Sequence, residues 1–259
     1  MGIGGTKVTL SVSPQQVPQG GQITGSVLLV GGKVEQKITA VKVQLVKAWY
    51  EEEVVELHDD SGADHETRQV TKHEVVQESV VSQAFTIKPE EQKQFPVELT
   101  VPLYADLNRD DLWWEVVGVA EIGGGADSRE PMKIAVTPSA MMAQFQTIVT
   151  QQLQWGLKEI VPDMSPGGVV QMKFSPPAEL QQQLDEIRCI MRNNTGQLQI
   201  TLQLDFQEKK FGDYFKAMIG KDAKAANLNV PEADLQNNQA AVVDSVKQRL
   251  QQLTNQSQD

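Results

Sequence analysis

Apolar and polar residues alternate along the chain from residue 3 to residue 45. A period of two is typical of strands with one buried face, and the glycine and proline clusters between the alternating stretches are typical of turns. This pattern predicts a β-sandwich rather than a nucleotide-binding α/β core. The apolar positions fall into three groups: Val8, Leu10 and Val12; Ile23, Val27 and Leu29; Val41, Val43 and Leu45.

The chain up to residue 137 continues in the same manner, so we predict a first β-sandwich over residues 1–137. The charged run from Tyr50 to His73 predicts a long, solvated hairpin with its tip near Asp59–Gly62. The other strands are expected at Val75–Ile87, Phe95–Val101, Trp113–Ile122 and Met132–Thr137.

Residues 138–230 predict a smaller C-terminal β-sandwich with an entry helix. Pro138 and Ser139 are typical of a helix start, and apolar residues follow at helical spacing. Four strands are expected after that helix, and residues 193–196 would form a hairpin turn between the last two. A short amphipathic segment is expected at residues 211–219.

Residues 231–259 predict a C-terminal amphipathic helix and a polar, glutamine-rich tail. Val242, Val246 and Leu250 lie on one narrow apolar stripe of that helix. The stripe would either pack on its own protein or pair with another one, and both interpretations stay open here.

Two stretches near the N-terminus resemble the bacterial sporulation-control protein family: IGGTKV at residues 3–8 and VPQGGQITGSVLLVGGKVEQKI at residues 17–38. The resemblance implies an arrestin-like fold of two tandem β-sandwiches. It also implies a non-catalytic interaction scaffold or regulator, serving development, cell division or stress response. The family carries an acidic loop where its two sandwiches meet. Asp127 and Arg129 would form an ion pair there, unless the loop is simply solvated.

The formal net charge of -11 argues against nucleic acid or anionic lipid as a direct ligand. No apolar run approaches the ~18 residues of a membrane span, and no secretory pattern follows Met1. The single cysteine, Cys189, cannot form an internal disulfide. We therefore expect a cytoplasmic protein, either a monomer or a homodimer, whose partners are other cytosolic proteins.

The histidines His58, His65 and His73 all lie in the charged hairpin, at spacings that fit no common metal site. We expect no metal, no cofactor and no catalytic residues, hence no enzyme. The alternative is a cytosolic carbohydrate or small-ligand binding module. Its stacking platform would be formed by the four tryptophans, Trp49, Trp113, Trp114 and Trp155.

Overall fold

The computed structural model describes residues 5–59, 62–163, 165–206 and 225–255, with residues 55–59 and 62–66 described by their backbone alone. The amphipathic segment expected at residues 211–219 lies outside the described residues. The chain divides into two compact units. The first comprises Met1–Val17, Gly21–Val101 and Leu107–Thr137, and the second comprises Pro18–Gly20, Pro102–Asp106 and Pro138–Asp259.

The first unit is built from antiparallel strands. Its described strands are β1 (Lys7–Ser13), β2 (Gln16–Pro18), β3 (Gln22–Val30), β4 (Gln36–Asp59), β5 (Gly62–Ser82), β6 (Phe85–Ile87), β7 (Gln92–Thr100), β8 (Leu112–Ile122) and β9 (Ser128–Thr137). They form a three-stranded sheet in the order β1-β3-β7 and a six-stranded sheet in the order β2-β9-β8-β4-β5, with β6 also paired to β4. The predicted strands and the long β4–β5 hairpin are thus confirmed, except that the stretch Val75–Ile87, predicted as one strand, is divided between β5 and β6.

The two sheets pack face to face, and Gly118 on β8 shows which side of the larger sheet is buried between them. A Cβ atom added to Gly118 would lie 3.2 Å from Val8 Cγ1 and 3.4 Å from Val27 Cγ2, both on the smaller sheet. Gly118 therefore points inward. Its neighbours Val117 and Val119 point to the opposite, outer face, because side chains alternate along a strand.

The β4–β5 hairpin extends past the rest of its sheet. Pairing between β4 and β8 stops at Trp49, whereas pairing between β4 and β5 continues to Asp59 and Gly62. Beyond Trp49 the hairpin is a two-stranded arm, and its base is held by charge. Lys72 lies 2.6 Å from Glu53 and 3.6 Å from Glu51. These ion pairs lie on the face of the arm that continues the inner face of the sheet.

The second unit contains one described antiparallel sheet, in the order β10-β11-β12-β13-β14. Its strands and helices are β10 (Gly156–Pro162), β11 (Val170–Ser175), β12 (Leu184–Asn194), β13 (Gln197–Phe206), β14 (Ala225–Pro231), α1 (Ala140–Gln152), α2 (Glu232–Asn237) and α3 (Gln239–Asn255). Among the described residues of this unit, helices and not a second sheet cover its buried face. Helix α1 contacts β10 and β13, and α3 contacts β14.

The start of α1 follows the sequence prediction. Ser139 is the N-cap, and its Oγ accepts a hydrogen bond of 3.3 Å from the Met142 amide. The closing helix differs from the prediction, because it is split at Asn238 into α2 and α3. Asparagine favours helix ends over helix interiors, which accounts for the break. Strand β14 was not predicted.

A buried glutamine ties the N-terminal segments of the second unit to its sheet. Gln19 Nε2 donates hydrogen bonds to the carbonyls of Ala105 (2.7 Å) and Gly168 (2.9 Å). Gln19 Oε1 accepts one of 2.9 Å from the Asn193 amide, and Asn193 Oδ1 accepts one of 2.7 Å from Ser139 Oγ. One network therefore connects residue 19, residue 105, the start of α1 and the end of β12.

Gly168 allows this network to close. Its φ of +66° lies in the left-handed region, and an added Cβ would come within 2.7 Å of both Gln19 Nε2 and the Ala105 carbonyl oxygen. Glycine alone meets both requirements without strain.

The Gln19 network generates a stability prediction. Gln19→Ala leaves two carbonyls and the Asn193 amide without this partner in a buried site, so we expect a loss of about 2–4 kcal/mol in the free energy of unfolding. Urea unfolding measures it. Gln16→Ala, at an exposed position of β2, is the matched control and should change little. Equal losses from both variants would contradict the role of the network.

Candidate interaction surfaces

The outer face of the six-stranded sheet carries a floor of buried valines. Val46, Val117 and Val119 form one cluster there, each less than a tenth exposed. Lys42 and Gln44 are paired with Val119 and Val117 across the β4–β8 register and lie on the same face. Long polar side chains thus border an apolar floor.

Lys42 forms ion pairs with two carboxylates beside this floor. Its ammonium group lies 2.7 Å from Glu121 and 3.2 Å from Glu78, and Gln44 Nε2 donates a hydrogen bond of 2.6 Å to Glu78. The bond from Gln44, with Lys42 beside it, lowers the pKa of the Glu78 carboxyl. The two carboxylates raise the pKa of Lys42. Lys42 thus offsets one of the two negative charges beside it.

An aromatic cluster lies further along the same face, towards the arm. The rings of Tyr50 and Trp113 lie 5.0 Å apart between centroids, and Lys133 Nζ lies 4.8 Å from the centre of the Trp113 ring. The Trp113 indole donates a hydrogen bond of 2.8 Å to Glu115. Trp113 points outward while Trp114 is buried, as expected for neighbours on a strand.

Four large apolar side chains of this face are exposed, and we call them the outer stripe: Tyr50 (44%), Val54 (65%), Val75 (51%) and Val80 (48%). Val80 is paired with Lys42 and Val75 with Val46, which places both valines on the outer face. A register shift between Leu45 and Val46 leaves Val76 as an extra residue in β5, so two valines five positions apart share one face.

Strand β10 forms a second surface, at the edge of the sheet of the second unit. Leu157 and Ile160 are paired with the fully buried Phe174 and Met172 and so lie on the core face of the sheet. Each is nevertheless more than a third exposed, because helix α1, which contacts β10, covers the core face at this edge only in part.

The charges around β10 are balanced. Lys173 lies 2.9 Å from Glu159, and Lys158 lies 3.6 Å from Glu186. Partial burial raises the pKa of the Glu186 carboxyl, but Arg188 and the two lysines outweigh that effect and hold the pKa below its ordinary value. The edge therefore combines exposed apolar side chains with little net charge.

Asp127 and Arg129 both lie in the β8–β9 hairpin of the first unit. Asp127 Oδ1 accepts a hydrogen bond of 3.2 Å from the Ile122 amide and so closes the hairpin turn. No ion pair joins Asp127 to Arg129 within the part of the chain that the structure describes. The backbone amide satisfies Asp127, while Arg129 points to the outer face, opposite Val119.

The stripe on the closing helix is buried within the second unit. Val242, Val246 and Leu250 are all less than a tenth exposed, and α3 packs on β14. Of the two interpretations left open by the sequence, packing on its own protein is the one observed. These three residues belong to the core and offer no surface to a partner.

The four tryptophans do not form a stacking platform. Trp114 is buried in the first unit, and Trp155 is buried in the second, where it packs edge-on against Phe174 at 5.5 Å. Cys189 is also buried, which raises the pKa of its thiol and disfavours the nucleophilic thiolate. Within the described ranges, no three His, Cys, Asp or Glu side chains are grouped as metal ligands would be.

None of the described helices is long and apolar enough to cross a membrane. The fold and surfaces thus define a class: an acidic, mainly β protein of two units, with exposed apolar side chains on a sheet face of one unit and, on the other, a strand that lies at the edge of its sheet among the described residues. The chain belongs to the family described as SpoOM protein, whose family model matches residues 1–209.

A curated relative supports this assignment: the sporulation-control protein spo0M of Bacillus subtilis (strain 168). It is 24% identical over 242 residues, which cover 91% of this chain and 89% of the relative. The crystal structure of Spo0M, sporulation control protein, from Bacillus subtilis matches with a TM-score of 0.65 at 20% identity. That match covers 97% of this chain and 100% of the crystallised one. The fold is therefore shared along nearly the whole chain.

The burial of the α3 stripe generates a second prediction. Leu250→Ala should lower the free energy of unfolding by about 2–4 kcal/mol, because it leaves a cavity at a buried position of α3. Thermal and urea unfolding measure the change. Gln251→Ala, at the next and exposed position of the same helix, should change the free energy by no more than about 0.5 kcal/mol. A Leu250→Ala variant as stable as the parent would place the stripe outside the core.

Proposed function

We propose that this protein is a non-catalytic interaction protein of the bacterial cytoplasm. It acts as a regulator or scaffold in the sense of its sporulation-control family, in development, cell division or stress response. The family membership supports the process, and the surfaces support the mode of action. The observation that carries the proposal is the position of β10 at the edge of its sheet among the described residues, with Leu157 and Ile160 partly exposed.

Strand β10 fits the addition of a strand from another protein. Its outer backbone edge has no paired strand among the described residues, so an extended segment could form main-chain hydrogen bonds along it. The same segment would cover Leu157 and Ile160 and complete the core face of the sheet. Because the surrounding charges are already paired, approach would require little desolvation of unpaired charge.

These features define the partner's chemistry. It is an extended segment of another protein, with apolar side chains at alternate positions that reach Leu157 and Ile160. Main-chain pairing supplies most of the affinity in such complexes, and the apolar side chains supply the specificity.

The test starts with the variant Leu157→Lys/Ile160→Lys. Partners are recovered by cross-linking in the producing bacterium, purified, and measured against the full chain by calorimetry. We expect the variant to bind at least tenfold more weakly, which is about 1.4 kcal/mol. Amide exchange within residues 157–161 should slow when the parent chain binds, because the amides that face away from β11 become hydrogen-bonded.

Tyr104→Lys is the control, since it adds a positive charge at an exposed apolar position of the second unit, away from β10 in sequence. It should bind like the parent chain. A partner that binds the β10 variant with full affinity would exclude this edge as the binding element. Failure to recover any specific partner would refute the interaction role itself.

A further inference from the structure

We infer that the edge of β4 in the arm, from Glu52 to Asp59, is a site of strand addition for an extended, cationic segment of another protein. This edge lies on the first unit. The inference therefore goes beyond the partner proposed for β10 and does not depend on it.

The backbone of β4 is unpaired on one side of the arm, among the described residues. The ladder with β8 ends at Trp49, and one further bond of 2.9 Å runs from the Tyr50 amide to the Asp111 carbonyl. The N–H and C=O of one residue point to the same side and alternate along a strand, so those of Glu52 point to this side as well. The edge continues for eight residues to Asp59, or roughly 26 Å.

The side chains beside this edge are apolar, whereas those beside the other edge of the arm are polar. Tyr50 and Val54 are exposed members of the outer stripe and lie on the same face as Glu52, one on each side of it. Their partners across the hairpin are Thr71 and Thr67 on β5. A strand added along β4 would therefore bury more apolar area than one added along β5.

A third strand would also stabilise the arm itself. A two-stranded hairpin is marginally stable in water, and three or more strands are needed for independent stability. Lys72 and Arg68 form ion pairs with Glu53 across the hairpin. Because these pairs are solvent-exposed, they contribute little to the free energy of folding. An added strand would supply main-chain hydrogen bonds that the arm lacks.

Charge favours a cationic segment at this edge. Residues 50–73 contain eight Asp and Glu and two Lys and Arg, so this stretch carries -6 of the chain's net charge of -11. Glu51 and Glu53 lie in ion pairs, whereas Glu52 faces the uncharged Gln69 across β5. A lysine or arginine opposite Glu52 in the added strand would form a stabilising cross-strand pair. A second copy of the same acidic arm would be repelled.

These features define the sequence of a probe. Opposite Glu52 it needs a cation, and two positions further, opposite Val54, an apolar residue on the same face. The octapeptide TKTVTKTV, acetylated and amidated at its ends, has this pattern and a high strand propensity. The octapeptide KKTTTTVV has the same composition and charge but lacks the alternation.

NMR titration of the full chain with the two peptides tests the inference. We expect saturable binding of TKTVTKTV with a dissociation constant on the order of a millimolar. The amide shifts should be largest at Glu52 and Val54, and binding should weaken as salt is added. KKTTTTVV should bind at least fivefold more weakly, because it cannot present both side chains while it pairs along the edge.

Glu52→Lys should weaken the binding of TKTVTKTV at least tenfold, because it replaces an attractive cross-strand pair by a repulsive one. Glu98→Lys is the matched control, since it makes the same change of charge at an exposed position of β7, on the smaller sheet. It should bind the peptide like the parent chain. Both positions are exposed, so both variants should unfold at the urea concentration of the parent.

Four results would overturn the inference. The first is an arm whose amides do not shift up to about 5 mM peptide. The second is equal binding of the two peptides, which would reduce the interaction to charge alone. The third is equal weakening by Glu52→Lys and Glu98→Lys. The fourth is a change of the arm amides with protein concentration in the absence of peptide, which would make a second copy the occupant.

Discussion

Backbone pairing of β4 on both of its sides is the constraint on which the first unit depends. From Ile38 to Trp49 the strand pairs with β8 on one side, and on the other side it pairs first with β6 and then, from Val41, with β5. A strand fixed in this way has no rotational freedom, so each side chain must lie on the inner or the outer face. The inner face is buried beneath the smaller sheet, and the outer face must carry whatever polar or apolar residues remain. The Lys42 ion pairs and the exposed valines are both consequences of that assignment.

The alternation from residue 3 to 45 predicted the strands and the first sandwich correctly, because a period of two follows directly from one-sided burial. The outer stripe was beyond prediction. Val75 and Val80 are five positions apart and would lie on opposite faces of a regular strand, but the extra residue Val76 reverses the phase between them. A bulge of this kind has no reliable sequence signal. Whether these valines are exposed also depends on which other element covers the sheet, and the local sequence pattern does not indicate that.

In the second unit, too, the local pattern predicted elements but not what packs against them. The apolar spacing of α3 correctly predicted a helix, but an amphipathic stripe cannot reveal whether its cover is the same chain or another one. Strand β14 was missed because Asn227, Asn229 and Pro231 are residues that strands disfavour, and only Leu228 and Val230 mark its buried side. Gln19 lies between a proline and two glycines, a sequence typical of an exposed turn. Its burial follows from Gly168 and Asn193, far away in sequence, so only the folded structure could show it.

The two surfaces have different physical consequences because they lie on different units. An apolar sheet face is buried by a second flat face, whereas an open strand edge is completed by a single extended segment. Main-chain pairing along β10 would bind an extended segment of almost any sequence, so it cannot by itself choose a partner. Leu157 and Ile160 would supply that choice, because they lie three positions apart and a register shift between Leu157 and Glu159 brings both to the core face. An irregularity of strand pairing thus decides which apolar side chains are exposed on each unit, at Val76 in the first and beside Leu157 in the second.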